Sequence, residues 1–214
     1  MNVFFYYCPQ GFGNCYILSR KNAADCQGSD REAIIVDPGM MDRYVLQYLE
    51  SKKLYPKAIL VTHNHENHMR GISSLMRIYD TKIYAVQSVI CGYRTNIIND
   101  RDIFEIGSFN IEAFSIPYHS TDSVIYKIEH SLFTGDVMSA GMLGSTPSPY
   151  GIMLQISRIQ NSIFSMEGNF TVFPGHGPPT SLNIERKYNI SIANLQKRKD
   201  KTRYASYNLD LLGI

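Results

Sequence analysis

The sequence predicts a mixed α/β fold, on three observations. Short apolar runs rich in β-branched and aromatic residues recur along the chain, as at Ala33-Ile34-Ile35-Val36 and Ala58-Ile59-Leu60-Val61. Between them lie segments whose apolar residues return at helical spacing. Strands and helices fall in two rough halves, with no repeat at a solenoid period. Periodicity alone gives this class and not the layering.

Taken in order, Val3 to Tyr7 and Cys15 to Leu18 flank Pro9-Gln10-Gly11-Phe12-Gly13-Asn14 and read as a hairpin. Residues 20 to 32 are polar, with Gly28 and Ser29, and predict a loop. Ala33 to Val36 is a short buried strand closed by the turn Asp37-Pro38-Gly39. Met41 to Leu54 has helical spacing and ends before Pro56. Ala58 to Thr62 is the next strand. Asn67 to Tyr79, with Ile72, Leu75, Met76 and Tyr79 on one stripe, predicts an amphipathic helix whose methionines fill core. Lys82 to Val86 is a strand, and residues 87 to 107 follow no clear pattern. Phe109 to Ile116, Val124 to Ile128 and Leu132 to Thr134 read as strands, each closed by polar or glycine residues. Helices return at Ile152 to Phe164 and Ile184 to Lys199, with the strand Thr171-Val172-Phe173 between them.

A chain of 214 residues fits one domain spanning 1–214. A formal charge of +2 is too small and unclustered to identify a partner. Cys8, Cys15, Cys26 and Cys91 show no paired metal or redox spacing and are too few for a disulfide scaffold, so reduced thiols in a cytoplasmic protein are expected. The opening Val3-Phe4-Phe5-Tyr6-Tyr7 lacks a basic flank and reads as a first strand, not a signal peptide. No stretch approaches the roughly 18 apolar residues of a membrane span. Lys197-Arg198-Lys199-Asp200-Lys201-Thr202-Arg203 reads as a solvated helix end more readily than as a clamp for RNA or another anion.

The chemistry lies at Val61-Thr62-His63-Asn64-His65-Glu66-Asn67-His68, directly after an apolar strand. Neutral imidazole is the commonest metal ligand, and a catalytic site needs several such nitrogens converging. His63 and His65, two apart at a strand end, face the same way if the chain there is extended. His68 swings back from the first turn of a following helix. The bland alternative is a solvated histidine-rich loop. Of six histidines, only His130 stands outside an apparent ligand context.

Three further segments complete the pattern: Ile116-Pro117-Tyr118-His119-Ser120-Thr121-Asp122-Ser123, Leu132-Phe133-Thr134-Gly135-Asp136 and Phe173-Pro174-Gly175-His176-Gly177-Pro178-Pro179. This series resembles the ligand series of the metallo-β-lactamase-fold hydrolases along nearly the full chain. The resemblance implies a four-layer αββα sandwich. It assigns His63, His65 and His119 to a first metal, Asn67, His68 and His176 to a second, and Asp136 to a bridge between them. Asn67 and Asp136 thereby become the candidate catalytic residues. The implied cofactor is one or two divalent metal ions, zinc first, with iron or manganese as alternatives. A water held by both metals would ionise near neutral pH and attack an ester, thioester or amide carbonyl. Asp37, at the floor of the implied site, has two readings, orienting a ligand histidine or capping its own turn.

Asn67 departs from the family's aspartate. Asparagine keeps the shape but offers a neutral oxygen and an NH2 that can turn toward the metal instead. Three explanations stand side by side: a single-metal site at His63, His65, His119 and Asp136; an engineered substitution; or partial compensation by Glu66. The segments around Asp136 and His176, with Glu185-Arg186-Lys187-Tyr188-Asn189, look like the small glyoxalase II-like hydrolases, which implies a thioester substrate of the S-lactoylglutathione kind. Residues 137 to 150 hold no lysine or arginine, where glyoxalase II carries a basic residue for glutathione. Another small thioester or ester is therefore equally compatible. The alternatives are a mononuclear iron enzyme like the persulfide dioxygenases and a catalytically silent metal-binding regulator. A small-molecule partner is expected, with neither nucleic acid nor membrane.

Overall fold

The computed structural model describes residues 1–20 and 31–193. The first half runs β1 (Asn2–Tyr7), β2 (Asn14–Ser19), β3 (Arg31–Val36), α1 (Arg43–Ser51), β4 (Leu54–Leu60), α2 (Glu66–Met69), α3 (Ile72–Ile78), β5 (Lys82–Ala85), β6 (Val89–Ile90), β7 (Tyr93–Arg94) and β8 (Asn96–Ile97). The second runs β9 (Ile103–Ile106), β10 (Phe109–Ser115), β11 (Val124–Ile128), β12 (Ser131–Gly135), β13 (Met138–Ser139), β14 (Met142–Leu143), α4 (Pro149–Ile159), a π-helical turn Gln160–Phe164, β15 (Thr171–Pro174), β16 (Thr180–Ser181) and α5 (Leu182–Tyr188). Two six-stranded sheets result, in the orders β1-β2-β3-β4-β5-β8 and β16-β15-β12-β11-β10-β9.

Side-chain alternation turns these sheets into four layers. On β2, Cys15 and Ile17 join an apolar cluster with Val45, Leu49, Ile72 and Leu75 of the helices, while Tyr16 and Leu18 face the other way. That second cluster lies between the sheets and takes Ile34 and Val36 of β3, Leu60 of β4, Ile111 of β10 and Tyr126 of β11. A third cluster packs Phe114, Ile125 and Leu132 of the second sheet against Ile156, Ile159 and Ile163. Helix, sheet, sheet, helix is the αββα order. It explains why the central strands read as unbroken apolar runs, since both of their faces are buried.

The structure departs from the sequence reading where tertiary contacts override local pattern. The first helix is shorter than Met41–Leu54: Asp42 caps it by accepting from Val45 N at 3.0 Å, and it ends at Ser51. Pro56 sits inside β4, where the β3 register shifts so that Ala33 pairs with Pro56 and Ile34 with Ala58. The shift absorbs a residue that has no N–H for the ladder. The helix expected over Asn67–Tyr79 divides into α2 and α3. Gly71 at the break donates to Pro38 O at 2.7 Å, and a Cβ there would stand 2.6 Å from that oxygen. Residues 87–107 form short strands, two of them at the ends of the sheets. Most of the loop at 20–32, the end of the helix at 184–199 and the basic run Lys197–Arg203 lie outside the described residues. Among those described, no helix is long and apolar enough to cross a membrane.

One side chain ties the sheets beside the histidine segment. The Tyr126 hydroxyl, fully buried on β11, donates to Val61 O at 3.0 Å and also reaches Tyr84 O at 3.3 Å. Tyr126→Phe is expected to lower unfolding stability by about 1–2 kcal/mol, because it takes the hydroxyl donor from the buried carbonyl of Val61, whereas Tyr84 O keeps Val61 N at 3.0 Å. Urea denaturation checks this as a lower midpoint at unchanged slope.

Candidate metal centre

All the ligand segments lie on one edge of the sandwich, past the carboxyl ends of strands. His63 and His65 follow β4, His68 lies on α2, His119 follows β10, Asp136 follows β12 and His176 follows β15. Strands β10, β12 and β15 point the same way, since β11 is antiparallel to both β10 and β12 and β12 is parallel to β15. Hydrogen bonds close the seam between the sheets at this edge. Val124 N donates to Thr62 O at 2.9 Å, and Asn14 Nδ2 donates to Pro174 O at 2.9 Å and to Gly177 O at 2.7 Å.

The groups converge as two overlapping sets that share Asp136: His63, His65, His119 and Asp136, and His68, Asp136 and His176, each with its ligand atoms within 4.8 Å of one another. In the first set His63 Nε2 lies 2.9 Å and His119 Nε2 3.4 Å from His65 Nδ1. Asp136 Oδ2 stands 3.7 Å from His63 Nε2 and 3.8 Å from His119 Nε2. In the second set Asp136 Oδ1 is 3.5 Å from His68 Nε2, and His176 Nε2 is 3.4 Å from Oδ2. His130 lies apart, with its ring 6.0 Å from that of Phe170.

The local chain explains the convergence. His65 itself is extended, but the chain between the two histidines is not: His65 N donates back to His63 O at 3.0 Å, closing a three-residue turn about Asn64 that brings both rings to one side. Asp122, buried, accepts from Asn64 N at 2.9 Å and from Ser120 Oγ at 2.8 Å, and so joins this turn to the His119 loop.

Four imidazoles are oriented from behind. His119 Nδ1 donates to Ser145 O and His176 Nδ1 to Phe12 O, each at 2.9 Å. A carbonyl can only accept, so both rings carry their proton on Nδ1 and turn the Nε2 lone pair inward. Asp37 serves the other two. Its Oδ1 accepts from Thr62 N at 2.8 Å, and its Oδ2 accepts from Thr62 Oγ1 at 2.6 Å and from His68 Nδ1 at 3.1 Å. With its proton on Asp37, Thr62 Oγ1 is left to accept from His63 Nδ1 at 3.0 Å. Of the two readings of Asp37, the structure supports orientation of a histidine. Sequence reasoning missed the carbonyls of Phe12 and Ser145, because a backbone acceptor leaves no mark on residue identity.

The electrostatics fit a cation. Burial, with His68 nearby, holds His63 down to about 3, and burial with His119 lowers His65. Burial opposes charge on Asp136 too, but hydrogen bonding and attraction from His68, with His176 and His63, outweigh it and hold the carboxyl at about 2. His68 is the converse: burial disfavours its charge, yet Asp37 and Asp136 on either side raise it to about 10. His68 Nε2 and Asp136 Oδ1 are both buried, 3.5 Å apart and with no closer partner. Buried ligand atoms held this loosely in a set of imidazoles and a carboxylate suit a divalent ion of the zinc, iron or manganese class.

Asn67 stands in the second set with its Nδ2 2.7 Å from His176 Nε2. In this arrangement the amide uses the same lone pair that a second metal would need. Glu66 offers no compensation, being exposed and paired with Arg70 at 3.1 Å.

A family model described as the metallo-beta-lactamase superfamily matches residues 8–181. The chain is 27% identical over 184 residues to the probable metallo-hydrolase YqgX of Bacillus subtilis, covering 75% of this chain and 87% of that protein. It is 28% identical over 185 residues to a hydroxyacylglutathione hydrolase of Buchnera aphidicola, covering 80% and 71%. Among solved structures, the BLEG-1 B3 metallo-beta-lactamase shares the fold, with a TM-score of 0.76 at 24% identity over 88% of this chain and 98% of that one.

Asp37→Asn keeps the shape but places an NH2 against donors. It is expected to weaken zinc binding about 10–100-fold, the usual cost of losing a group that orients ligands. Competition against a chelator, on protein shown to be folded by circular dichroism, measures it.

Proposed function

The chain belongs to the metallo-beta-lactamase superfamily, and from that premise we propose that it is a metal-dependent hydrolase of a small thioester or ester. The observation that carries the reading is the set of inward Nε2 atoms around Asp136, each held by a protein acceptor behind its ring. His63, His65, His119 and Asp136 would hold one ion; His68, His176 and Asp136 would hold a second, with Asn67 beside it. A bound divalent metal supplies an activated water and polarises the carbonyl of the substrate.

The protein's own groups do the rest. Asp136 stands between the halves, its Oδ1 beside His68 and its Oδ2 beside His63, His119 and His176; Asp37 and Thr62 fix two rings, and the carbonyls of Phe12 and Ser145 fix two more. Asn67, in place of an acidic group, holds His176 through a neutral amide and so weakens the second half. Hydroxyacylglutathione hydrolase relatives favour a thioester, while the absence of lysine and arginine from residues 137–150 favours one smaller or less anionic than a glutathione conjugate. A cytoplasmic location and a single domain belong to the same proposal. A second reading, a mononuclear iron enzyme using only the first set, is favoured by the Asn67 amide lying against His176 Nε2.

Elemental analysis and S-lactoylglutathione hydrolysis, on this chain and on Asn67→Asp, test the reading. We expect about one tightly held metal here, and two in the variant with at least tenfold higher turnover. One iron in both proteins, with no gain in hydrolysis, would move the oxygenase reading ahead.

A further inference from the structure

The segment behind His119 is a small hairpin. Strands β13 and β14 pair at Met138↔Leu143 and Ser139↔Met142, and they join neither six-stranded sheet. A ribbon of that length is not stable alone. Yet its return carries Gly144 and Ser145 onto two candidate ligands. The Ser145 carbonyl accepts from His119 Nδ1 at 2.9 Å, and a Cβ on Gly144 would stand 1.8 Å from Asp136 O and 3.2 Å from His119 Nδ1. Where the hairpin sits decides where the His119 ring points.

Its anchors come from both flanking helices. Gln155 of α4 fixes the base, donating from Nε2 to Val137 O at 2.9 Å. The tip is fixed by α5 and the residues after it. Gly141 N lies 3.1 Å from each carboxylate oxygen of Glu185, Gly141 O accepts from Ile190 N at 2.8 Å, and Leu143 N donates to Ser191 Oγ at 3.2 Å. Glu185 is fully buried on α5 beside Leu182, a place where an apolar side chain would pack without the cost of burying a carboxylate. Its oxygens are instead taken up by donors: Oε1 accepts from Thr180 Oγ1 at 2.9 Å and Oε2 from Asn189 Nδ2 at 2.7 Å, besides the Gly141 N–H. Thr180 follows closely on His176, so one carboxylate ties the His176 segment to the hairpin behind His119.

We propose that Glu185 is a positioning residue of the metal centre. By holding the Gly141 tip it sets the Ser145 carbonyl, and through that carbonyl the direction in which His119 presents Nε2. Its loss should therefore act on His119 and spare His176, whose ring is held by Phe12 O on the β1–β2 turn. This rests on the metal-dependent reading above and holds for any substrate. Groups that orient ligands in this way tune metal affinity without binding the metal.

The test uses the zinc-loaded full chain, isotope-labelled at its histidines, and reads the exchange of imidazole protons with water by NMR. Glu185→Gln keeps the volume but sets an NH2 against a donor, since both oxygens already accept. The His119 Nδ1 proton should then exchange about tenfold faster, with the His176 Nδ1 proton within about twofold of the wild type. Competition with a chelator should give a zinc Kd about tenfold weaker. Ser191→Ala, a milder loosening of β14, should speed the His119 proton about threefold, and it decides the matter if Glu185→Gln does not fold. Val45→Ala, which loosens α1 in the opposite helical layer, should move neither proton nor zinc. Unchanged exchange at His119 in Glu185→Gln, or in Ser191→Ala where that variant alone folds, overturns the proposal, as does an equal quickening at His176 or in Val45→Ala. If the wild type takes up no zinc, the metal-dependent reading fails, and the same proton measured without zinc still decides whether Glu185 sets the His119 ring.

Discussion

The structure is organised around a buried carboxylate that must be compensated. Asp136 is 17% exposed at its side chain, and four imidazole nitrogens stand 3.4–3.8 Å from its oxygens. An uncompensated charge in such a place is costly, and the usual responses are a proton, a partner or a metal. The partner here is His68, which lies between Asp136 and Asp37 and whose proton they hold by raising it to about 10. A divalent cation would meet the same demand with more charge and would displace that proton. The rings around Asp136 are therefore oriented in advance for a cation.

That orientation depends on how the apolar layers fix the strand ends. Strands buried on both faces have little freedom to slide, because a shift of one residue would turn each apolar set to the wrong cluster. The ends of β4, β10, β12 and β15 are consequently set, and each needs only a short loop to present one or two ligands. Hydrogen bonds across the seam then bring the two sheets together at this edge: Val124 to Thr62, Tyr126 to Val61, Asn14 to Pro174. Residues that bind no ligand decide whether the ligands meet.

The fold was legible to the extent that burial imposes periodicity. Alternation located the central strands, and histidine spacing together with the resemblance to the family's ligand series pointed to the five candidate histidines and Asp136, which the fold brings together. Other features depended on contacts distant in sequence. The break between α2 and α3 comes from Pro38 pressing on Gly71, and Pro56 enters a strand because a bulge in pairing with β3 tolerates it. The γ-like turn at His63–His65 replaced the extended geometry expected there, and reached the same convergence by another route. The acceptors behind His119 and His176 are main-chain oxygens, which no residue letter encodes. Asp37 was ambiguous from sequence, because an aspartate before Pro-Gly suits a turn as well as a histidine.

Position 67 shows how far a one-atom change can matter when geometry is fixed. The β1–β2 turn and the turn after β3 press on the backbone of Asn67, so closely that a Cβ on Gly39 would lie 2.1 Å from its carbonyl oxygen and one on Gly13 2.8 Å. Asparagine and aspartate therefore place the same atoms in the same space, and they differ in charge and in donor capacity. With asparagine, the protein's own groups set two carboxylates, Asp37 and Asp136, against one protonated imidazole, His68. An aspartate at 67 would add a third negative charge to that crowded pocket without adding a cation, and only metal would relieve it. The amide lowers the demand for a second ion and gives His176 a hydrogen bond in its place. His68 carries that one positive charge and belongs to the second half, so the two halves of the site are unequal in charge.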